Sequence, residues 1–407
     1  MSKINVNELS AGMVLSEDVF GPDGRMLLSQ GTTLEDRHLR ILLVWGVTEA
    51  KVMPETLGAE DGEAGLPQAV REQATLRIDQ LFSQCGTKHE ALAELHRQCV
   101  NTLGRNMLRG EARSLPCRKP NLSLPTDPPP ELDAFLTQAD IFLSFPETFF
   151  RIVQVIDDPG STAAHLADVV GKDPGMSAKL LKLVNSPFYG FPQQIENLER
   201  GIALVGTREL SQLALGITII QTFNGIPSEI LSTREVWGHS LACGVFARLL
   251  ASYKPGVTEE TLFVAGILHD TGRLIMLDRL PQFMALAITV SMQENIPLHQ
   301  AERRVFGWDH ADLARALFQR WGLPASLRDA AYGHHAPSQA TDNMEAALLH
   351  FADIMAIALE YGYSGNCLVP PLEEDAWDSL QLAPSVIAPV IAAGTRQIDD
   401  IVTFFLG

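Results

Sequence analysis

The chain has 407 residues, of which 46% are hydrophobic and 20% charged, a composition that fits two or three globular domains. Its formal net charge of −18 disfavours general nucleic-acid binding, because an acidic surface repels phosphate backbones. No apolar run reaches the roughly 18 residues needed to cross a bilayer. The start, MSKINVNELSAG, lacks the basic and apolar regions of a signal peptide, so no membrane association is expected.

Residues 1–53 have the pattern of a small β-rich module with one helix. The stretch GMVLSEDVFGPDGRMLLSQG places two short apolar runs on either side of Pro22-Asp23-Gly24, a sequence typical of a turn between strands. A helical stretch, EDRHLRILLVWG, and a strand-like VTEAKVM follow. Residues 54–69 are acidic, contain glycine and lack periodicity, which predicts a linker.

Helical patterns dominate the rest of the chain. Residues 70–110 carry apolar residues at helical spacing and are predicted to form a helical spacer. Residues 111–130 are rich in proline, which blocks helices and central strands, so a second linker is predicted there. From 131 onward strand patterns are nearly absent. In DPGMSAKLLKLV, Asp173 is expected to be the N-cap and Pro174 the first helical residue. The sequence therefore predicts a mainly α fold.

Cysteine usage points to a reducing compartment. The cysteines are odd in number and lack CxxC spacing: Cys85, Cys99, Cys117, Cys243 and Cys367. Such a pattern is not typical of a disulfide framework or a zinc knot. We expect reduced thiols and a cytoplasmic protein.

The stretch GILHDTGR sets a histidine beside an aspartate, His269 and Asp270, between two apolar runs. A charge embedded in apolar surroundings must be paired or bound to a metal, because an unpaired buried charge is expensive. The alternative is a solvated pair at a helix end, which is what most such dipeptides are. The dipeptide alone leaves both interpretations open.

Other residues could complete a metal site. Glu235 and His239 are four residues apart and share a helical face, and Asp353 has apolar neighbours on its own face. His310 begins one amphipathic helix, and the pair His334-His335 ends another. Imidazole and carboxylate ligands together suit iron, manganese or zinc.

Each of these companions also has an ordinary interpretation. Glu235 could be a first-turn glutamate, and His310 and Arg273 could be solvated helical residues. The pair His334-His335 could be favoured by the helix dipole at a C-terminus. Other catalytic motifs are missing from the sequence, including GxSxG, GxxxxGK[ST] and HExxH.

Two parts of the chain resemble known domains. KDPGMSAKLLKLVNSPFYG, the following IENLERGIALVGTRELSQLALG, and the later FGWDHADLARALFQRWGLPASLRDAAYGHHAP are similar to the HDOD domain. This domain is an output-type relative of the HD phosphohydrolases and occurs in bacterial signalling proteins. Residues 7–53 resemble the small module that often precedes HD-GYP phosphodiesterase domains. The first resemblance covers about 135–345, roughly half of the chain.

The resemblance implies a domain plan. We expect an HDOD domain over 131–345, made of a helical subdomain over 131–228 and an HD-like bundle over 229–345. Residues 346–407 would be a C-terminal helical extension that completes the bundle. With the β-rich N-terminal module, this plan gives a mainly α protein with one small β-containing part.

The resemblance also implies a ligand set and a divalent iron, manganese or zinc ion as cofactor. HD phosphohydrolases bind metal through a first histidine, the HD pair and a later aspartate. The matching residues here are His239, His269, Asp270 and Asp353. The HD-GYP branch adds a glutamate, a further histidine and a histidine pair, which match Glu235, His310, His334 and His335.

Two departures separate this chain from the catalytic relatives. HD-GYP enzymes read HDIGK where this chain reads HDTGR, so Arg273 stands in place of a lysine. The two cations differ in geometry and reach. No GYP follows His335. That motif belongs to cyclic dinucleotide recognition, so its loss argues against cyclic di-GMP hydrolysis and leaves metal binding open.

Two functional hypotheses follow, and the sequence leaves open whether the chain is an enzyme. In the first, it is a bacterial signal-transduction protein, alone or as a homodimer, whose HDOD domain binds a signalling protein or a small ligand. In the second, it is a metal-dependent phosphohydrolase acting on a nucleotide or cyclic dinucleotide. Asp270 would then bridge two metals, and Arg273 would neutralise phosphate oxygens. An open cleft would favour the enzyme, and a closed site the regulator.

Overall fold

The computed structural model describes residues 2–5, 9, 13–20, 26–34, 38, 42, 47, 49–53, 66–112, 120, 122–123, 125–138, 146–158, 160–186, 188–191, 193–223, 230–340 and 343–406. The chain divides into two compact units, Met1–Glu72 and Gln73–Gly407. Among the described residues no single helix is long and apolar enough to cross a membrane. Two helix pairs reach the required length and apolar composition only when their members are taken together, and both pairs are sharply bent. They are Leu198–Val205 with Thr207–Thr222 and Glu259–Arg279 with Pro281–Glu294.

The N-terminal unit contains two small antiparallel strand pairs. Strand β1 (Ser2–Asn5) pairs with β4 (Glu49–Val52), and β2 (Val19–Phe20) pairs with β3 (Met26–Leu28). Apolar side chains from these strands and their neighbours form a separate core: Leu9, Leu15, Val19, Leu34, Leu42, Ala50 and Val52. The β-rich character predicted for this part is confirmed. The predicted turn at 22–24 lies outside the described residues.

Helices make up most of the rest. The first ones run from α1 to α8: Gln68–Leu81, Glu90–Arg109, Leu132–Gln138, Glu147–Asp157, Ala163–Gly171, Pro174–Val184, Leu198–Val205 and Thr207–Thr222. The later ones run from α9 to α18: Thr233–Ala251, Glu259–Leu268, Thr271–Arg279, Pro281–Glu294, Leu298–Phe306, His310–Arg320, Ala325–Gly333, Asn343–Ala358, Glu374–Leu380 and Ile387–Leu406. The prediction of a mainly α fold is confirmed.

Local sequence signals fix several of these helices. The Asp173 carboxylate accepts a hydrogen bond from Met176 N, and Pro174 is the first residue of α6, as predicted. Asn185 ends that helix, and its amide exchanges hydrogen bonds with the backbone of Ile195. Helix α1 begins at Gln68, inside the predicted linker 54–69, of which 54–65 are outside the described residues.

Helix α9 lies in the middle of the larger core and packs against α10, α16 and α18. Its contact with α10 is unusually close, because Gly244 of α9 meets Gly266 of α10. A Cβ added at Gly266 would overlap Gly244 Cα and lie 2.9 Å from the carbonyl carbon of Cys243. Two glycines thus allow the backbones of α9 and α10 to touch at this crossing.

The cysteines depart in part from expectation. Cys85, Cys99 and Cys243 are free thiols, as predicted. Cys367 is disulfide-bonded, so the prediction of reduced thiols was wrong for this residue, and Cys117 lies outside the described residues. Disulfide formation depends on the approach of two Cβ atoms in the fold, which spacing along the chain does not reveal.

Candidate metal centre

The predicted donors come from several helices that meet inside the larger unit. His239 lies in the second turn of α9, and Asp353 lies in α16. His269 and Asp270 occupy the break between α10, which ends at Leu268, and α11, which begins at Thr271. Because the pair lies between two helices, both side chains can turn toward one interior point. Two adjacent residues within a helix would instead diverge by about 100°.

The first cluster joins the four residues matched to the HD superfamily. His239 Nε2 lies 3.0 Å from Asp353 Oδ1 and 3.8 Å from Asp270 Oδ2. His269 Nε2 lies 3.5 Å from Asp270 Oδ2 and 3.7 Å from Asp353 Oδ1. All four side chains are buried, none more than 2% exposed. The structure therefore brings residues up to 114 positions apart in the chain (353 − 239) into one closed cluster.

The inward-facing atoms of this cluster are suited to a cation. His239 Nε2, His269 Nε2 and Asp353 Oδ1 face one another and are buried without a well-oriented hydrogen bond, although His239 Nε2 lies only 3.0 Å from Asp353 Oδ1. Asp270 Oδ2 faces the same two histidines, and Asp270 Oδ1 lies 3.2 Å from His310 Nε2. His269 Nδ1 lies 2.7 Å from the carbonyl oxygen of Gly266, so in the neutral ring Nδ1 carries the proton and Nε2 presents a lone pair. Buried polar atoms are normally paired, and donors that converge without well-oriented hydrogen bonds fit a divalent metal ion.

A second cluster contains the other three predicted histidines. His310 Nε2 lies 3.2 Å from His334 Nε2 and 3.1 Å from His335 Nε2. It also lies 3.2 Å from Asp270 Oδ1, which places the two clusters side by side. His334 Nδ1 contacts the carbonyl oxygen of Ala331 at 2.5 Å, which directs the Nε2 lone pair toward His310. This trio is a second set of donors with metal-ligand spacing.

Arg273 occupies the space beside both clusters. Its guanidinium donates to Asp270 Oδ2 at 2.7 Å and to Glu302 Oε1 at 3.0 Å, and Nη2 lies 3.0 Å from His310 Nδ1. Arg273 and Glu302 are at most 1% exposed. In the phosphohydrolase hypothesis Arg273 neutralises phosphate oxygens, but the structure shows its guanidinium already bound to two carboxylates.

Burial and these contacts act against each other on the ionisable groups. Burial by itself would raise the pKa of Asp270, but Arg273 and His269 outweigh it and hold that pKa well below its usual range. The pKa of Glu302 falls to about 2, because His310 and Arg273 outweigh burial. Asp353 is likewise ionised, since His239 and His269 lower its pKa more than burial raises it. All three carboxylates therefore carry charge in the interior.

Three buried carboxylates against one guanidinium leave a marked charge deficit. Asp270, Asp353 and Glu302 contribute three negative charges, and Arg273 contributes one positive charge. Without an ion, protons on the imidazoles compensate part of this charge, because, against burial, Glu302 and Asp270 raise the pKa of His310 to about 9, and Asp270 and Asp353 raise the pKa of His269. A divalent ion would take the place of these protons, since neutral histidines leave a net charge of −2 (−3 + 1) in the interior.

Close backbone contacts hold this arrangement, and they explain both glycines of GILHDTGR. Gly266 contacts α9 as described above. A Cβ at Gly272 would overlap the carbonyl oxygen of His310 and lie 3.1 Å from Ala314 N, so α11 touches the start of α14. The glycines thus fix the distances from the HD pair to His239 on one side and to His310 on the other.

Glu235 is the predicted ligand that the structure leaves outside both donor clusters. It is half-exposed in the first turn of α9, and no candidate donor group among the described residues includes it. Its backbone carbonyl accepts a hydrogen bond from Tyr363 N. Helical spacing places Glu235 on the same face as His239, but the cluster lies around the later turn.

Sequence reasoning missed several residues of the centre. Glu302 pairs with Arg273, and Cys243 lies in a donor group with His269 and Asp353. His350 contacts the carbonyl oxygen of His334 through Nδ1 at 2.7 Å, and the His299 ring stacks on that of His335. Cys243 could have been found, since it follows His239 by four residues on one helical face. Glu302 and His350 stand in stretches without any distinguishing motif.

A helical bundle with an HD pair at its centre is the class of protein that this fold and site define. The family model of the HDOD domain matches residues 142–337, which lie within the predicted span 131–345. This chain therefore carries an HDOD domain, as the resemblance predicted.

One sequence relative and two solved structures are similar to this chain, and the two structures share its fold. An uncharacterized protein of Treponema pallidum (strain Nichols) is 24% identical over 194 residues, which are 47% of this chain and 37% of that protein's length. An HDOD domain protein with unknown function from Geobacter sulfurreducens is 24% identical, with a TM-score of 0.54 over 67% of this chain and 95% of that one. A Marinobacter aquaeolei VT8 protein is 17% identical, with a TM-score of 0.54 over 100% and 96% of the two chains.

Proposed function

We propose that this chain is a regulatory signalling protein whose HDOD domain holds a divalent metal ion in a closed, structural site. The observation that carries the proposal is the burial of the first cluster, where His239, His269, Asp270 and Asp353 are at most 2% exposed. A catalytic metal site keeps a position open for substrate, whereas a structural site is closed by protein ligands.

These four residues would hold the ion. Bound there, it would supply the positive charge that the three buried carboxylates lack, and it would tie α9, α16 and the break between α10 and α11 together. Imidazole and carboxylate donors favour iron, manganese or zinc. Arg273 supports a regulatory over a catalytic role, because its guanidinium is fully engaged with Asp270 and Glu302.

The regulatory part of the proposal rests on the family and on the closed site. HDOD domains occur in bacterial signalling proteins, and the Marinobacter aquaeolei chain of similar fold is described as a "Putative signal transduction protein". We propose a signalling protein or a small ligand as the partner, and a cytoplasmic location.

Metal content measured by mass spectrometry tests the proposal. The purified full chain should contain close to one equivalent of iron, manganese or zinc, and both Asp270→Ala and Asp353→Asn should lose it. Asp278→Ala is the matched control, since Asp278 lies on α11 and pairs with Arg279 at the surface. A metal-free protein that stays metal-free after incubation with each of the three ions would refute the proposed site.

A metal-dependent phosphohydrolase is the second candidate. It is favoured by the trio His310, His334 and His335, which lies beside Asp270. His310 Nε2 is 3.2 Å from His334 Nε2 and 3.1 Å from His335 Nε2. A screen of bis(p-nitrophenyl) phosphate, nucleotides and cyclic dinucleotides as substrates of the metal-loaded protein distinguishes the regulatory protein from the phosphohydrolase. The regulatory proposal predicts no turnover, and turnover that disappears in Asp270→Ala would favour the enzyme.

A further inference from the structure

Cys243 is buried beside His269 and Asp353 of the first cluster, although the ligand set implied by the resemblance contains no thiol. We propose that Cys243 binds the metal through sulfur, next to His269 and Asp353, and makes the site selective for thiophilic ions such as zinc over manganese. This inference rests on the proposed metal site and adds a ligand to it.

The placement of Cys243 supports the proposal. It lies on α9 four residues after His239, so the two side chains share a helical face. One donor atom from each of Cys243, His269 and Asp353 lies within 4.8 Å of the other two. Cys243 is a free thiol with no exposed surface. Its sulfur is therefore within reach of an ion that the other two residues bind.

The backbone around Cys243 is held in place. Gly244 follows it and touches Gly266 of α10, three residues before His269. Because this crossing fixes the separation of α9 and α10, the backbone of Cys243 cannot move away from that of α10 without separating the two helices. Cys243 thus resembles a positioned ligand more than a side chain that merely fills space.

Comparison with Cys99 separates this case from an ordinary buried cysteine. Most buried free cysteines act as small apolar side chains. Cys99 on α2 is also free and 2% exposed, but no donor group among the described residues includes it. The two thiols differ in their neighbours and not in their burial, which makes Cys99 a matched control.

The binding step is chemically simple. When the ion enters, the thiol S–H bond breaks, the proton leaves to solvent, and a sulfur–metal bond forms from the thiolate lone pair. No oxidant or reductant takes part. Thiolate is a soft ligand that suits zinc and iron, whereas manganese prefers oxygen.

Cobalt(II) is the probe for the test, because a thiolate–cobalt bond gives a near-ultraviolet charge-transfer band and bound cobalt gives separate visible d–d bands. The full chain should show both kinds of band, and so should Cys99→Ser. Cys243→Ser should keep the visible bands and lose the near-ultraviolet band. Its preference for zinc over manganese, measured by competition, should fall by about tenfold or more, comparable to the loss of a supporting ligand contact.

The wild-type spectrum decides the matter even if a variant fails to fold. Visible bands without a charge-transfer band would refute the proposal that Cys243 binds the metal and leave the proposed metal site intact. A charge-transfer band that persists in Cys243→Ser would also overturn it. Failure of the wild-type chain to bind cobalt, manganese or zinc would refute the proposed metal site, and the thiol ligand with it.

Discussion

Arg273 Nη1 lies 2.7 Å from Asp270 Oδ2, and neither side chain is more than 1% exposed. The same guanidinium donates through Nε to Glu302, which arrives from α13. One cation therefore binds two buried carboxylates, and the side chains nearest to Asp353 are the imidazoles of His239 and His269. Asp353 is the buried carboxylate of the cluster that no guanidinium contacts, which places the need for a further cation on the side of His239 and His269.

Removal of the guanidinium should destabilise the protein strongly. Arg273→Met leaves Asp270 and Glu302 buried without their partner, and we expect the free energy of unfolding to fall by about 3–5 kcal/mol. Urea unfolding of the metal-free chain measures this. Arg304→Met, which removes an exposed arginine paired with Glu294, should cost less than about 1 kcal/mol. A loss below 1 kcal/mol for Arg273→Met would contradict the charge assignment.

Metal binding should stabilise the folded chain. Zinc at about 100 times its Kd should raise the free energy of unfolding by about 2.7 kcal/mol, because the ion binds only the folded cluster. A chelator should reverse the effect, and Asp353→Asn should abolish it. Asp278→Asn serves as the control. Equal stabilisation of the Asp353→Asn variant would show that the ion binds elsewhere.

The Gly244–Gly266 crossing should tolerate no side chain. In Gly266→Ala the new methyl group overlaps the backbone of α9, and we expect a loss of about 3 kcal/mol or more together with loss of the metal. Gly171→Ala is the control, since a Cβ there meets nothing within 4 Å. Thermal unfolding and metal analysis of both variants test this. Retention of metal in Gly266→Ala would mean that the helices can separate without harm to the cluster.

Glu235 provides a test of how far the superfamily ligand set applies. Because the structure leaves Glu235 outside both donor clusters, Glu235→Gln should keep the wild-type metal content, whereas Asp353→Asn should lose it. Metal analysis of the two variants side by side gives the answer. Loss of an equivalent of metal in Glu235→Gln would restore the ligand role that the resemblance implied.

Much of the candidate site was predictable from residue types and their order. The HD pair, His239 and Asp353 were predicted as donors, and the structure places all four within one buried cluster. Glu302 was not found, because a single glutamate in the amphipathic stretch LHQAERRVF looks like any solvated helix residue. Its burial arises from the packing of α13 against Arg273, a contact between residues 29 positions apart.

The sequence by itself determined the mainly α fold and the start of α6 at Asp173-Pro174, and it singled out the candidate donor residues. These depend on periodicity, capping and side-chain chemistry, which act within a few residues of the chain. Only the tertiary structure decided that the site is closed, that Arg273 is engaged and that Cys243 is within reach of His269 and Asp353. Helices distant in sequence set those distances where they cross, and the Gly244–Gly266 contact shows that a single methyl group would change them.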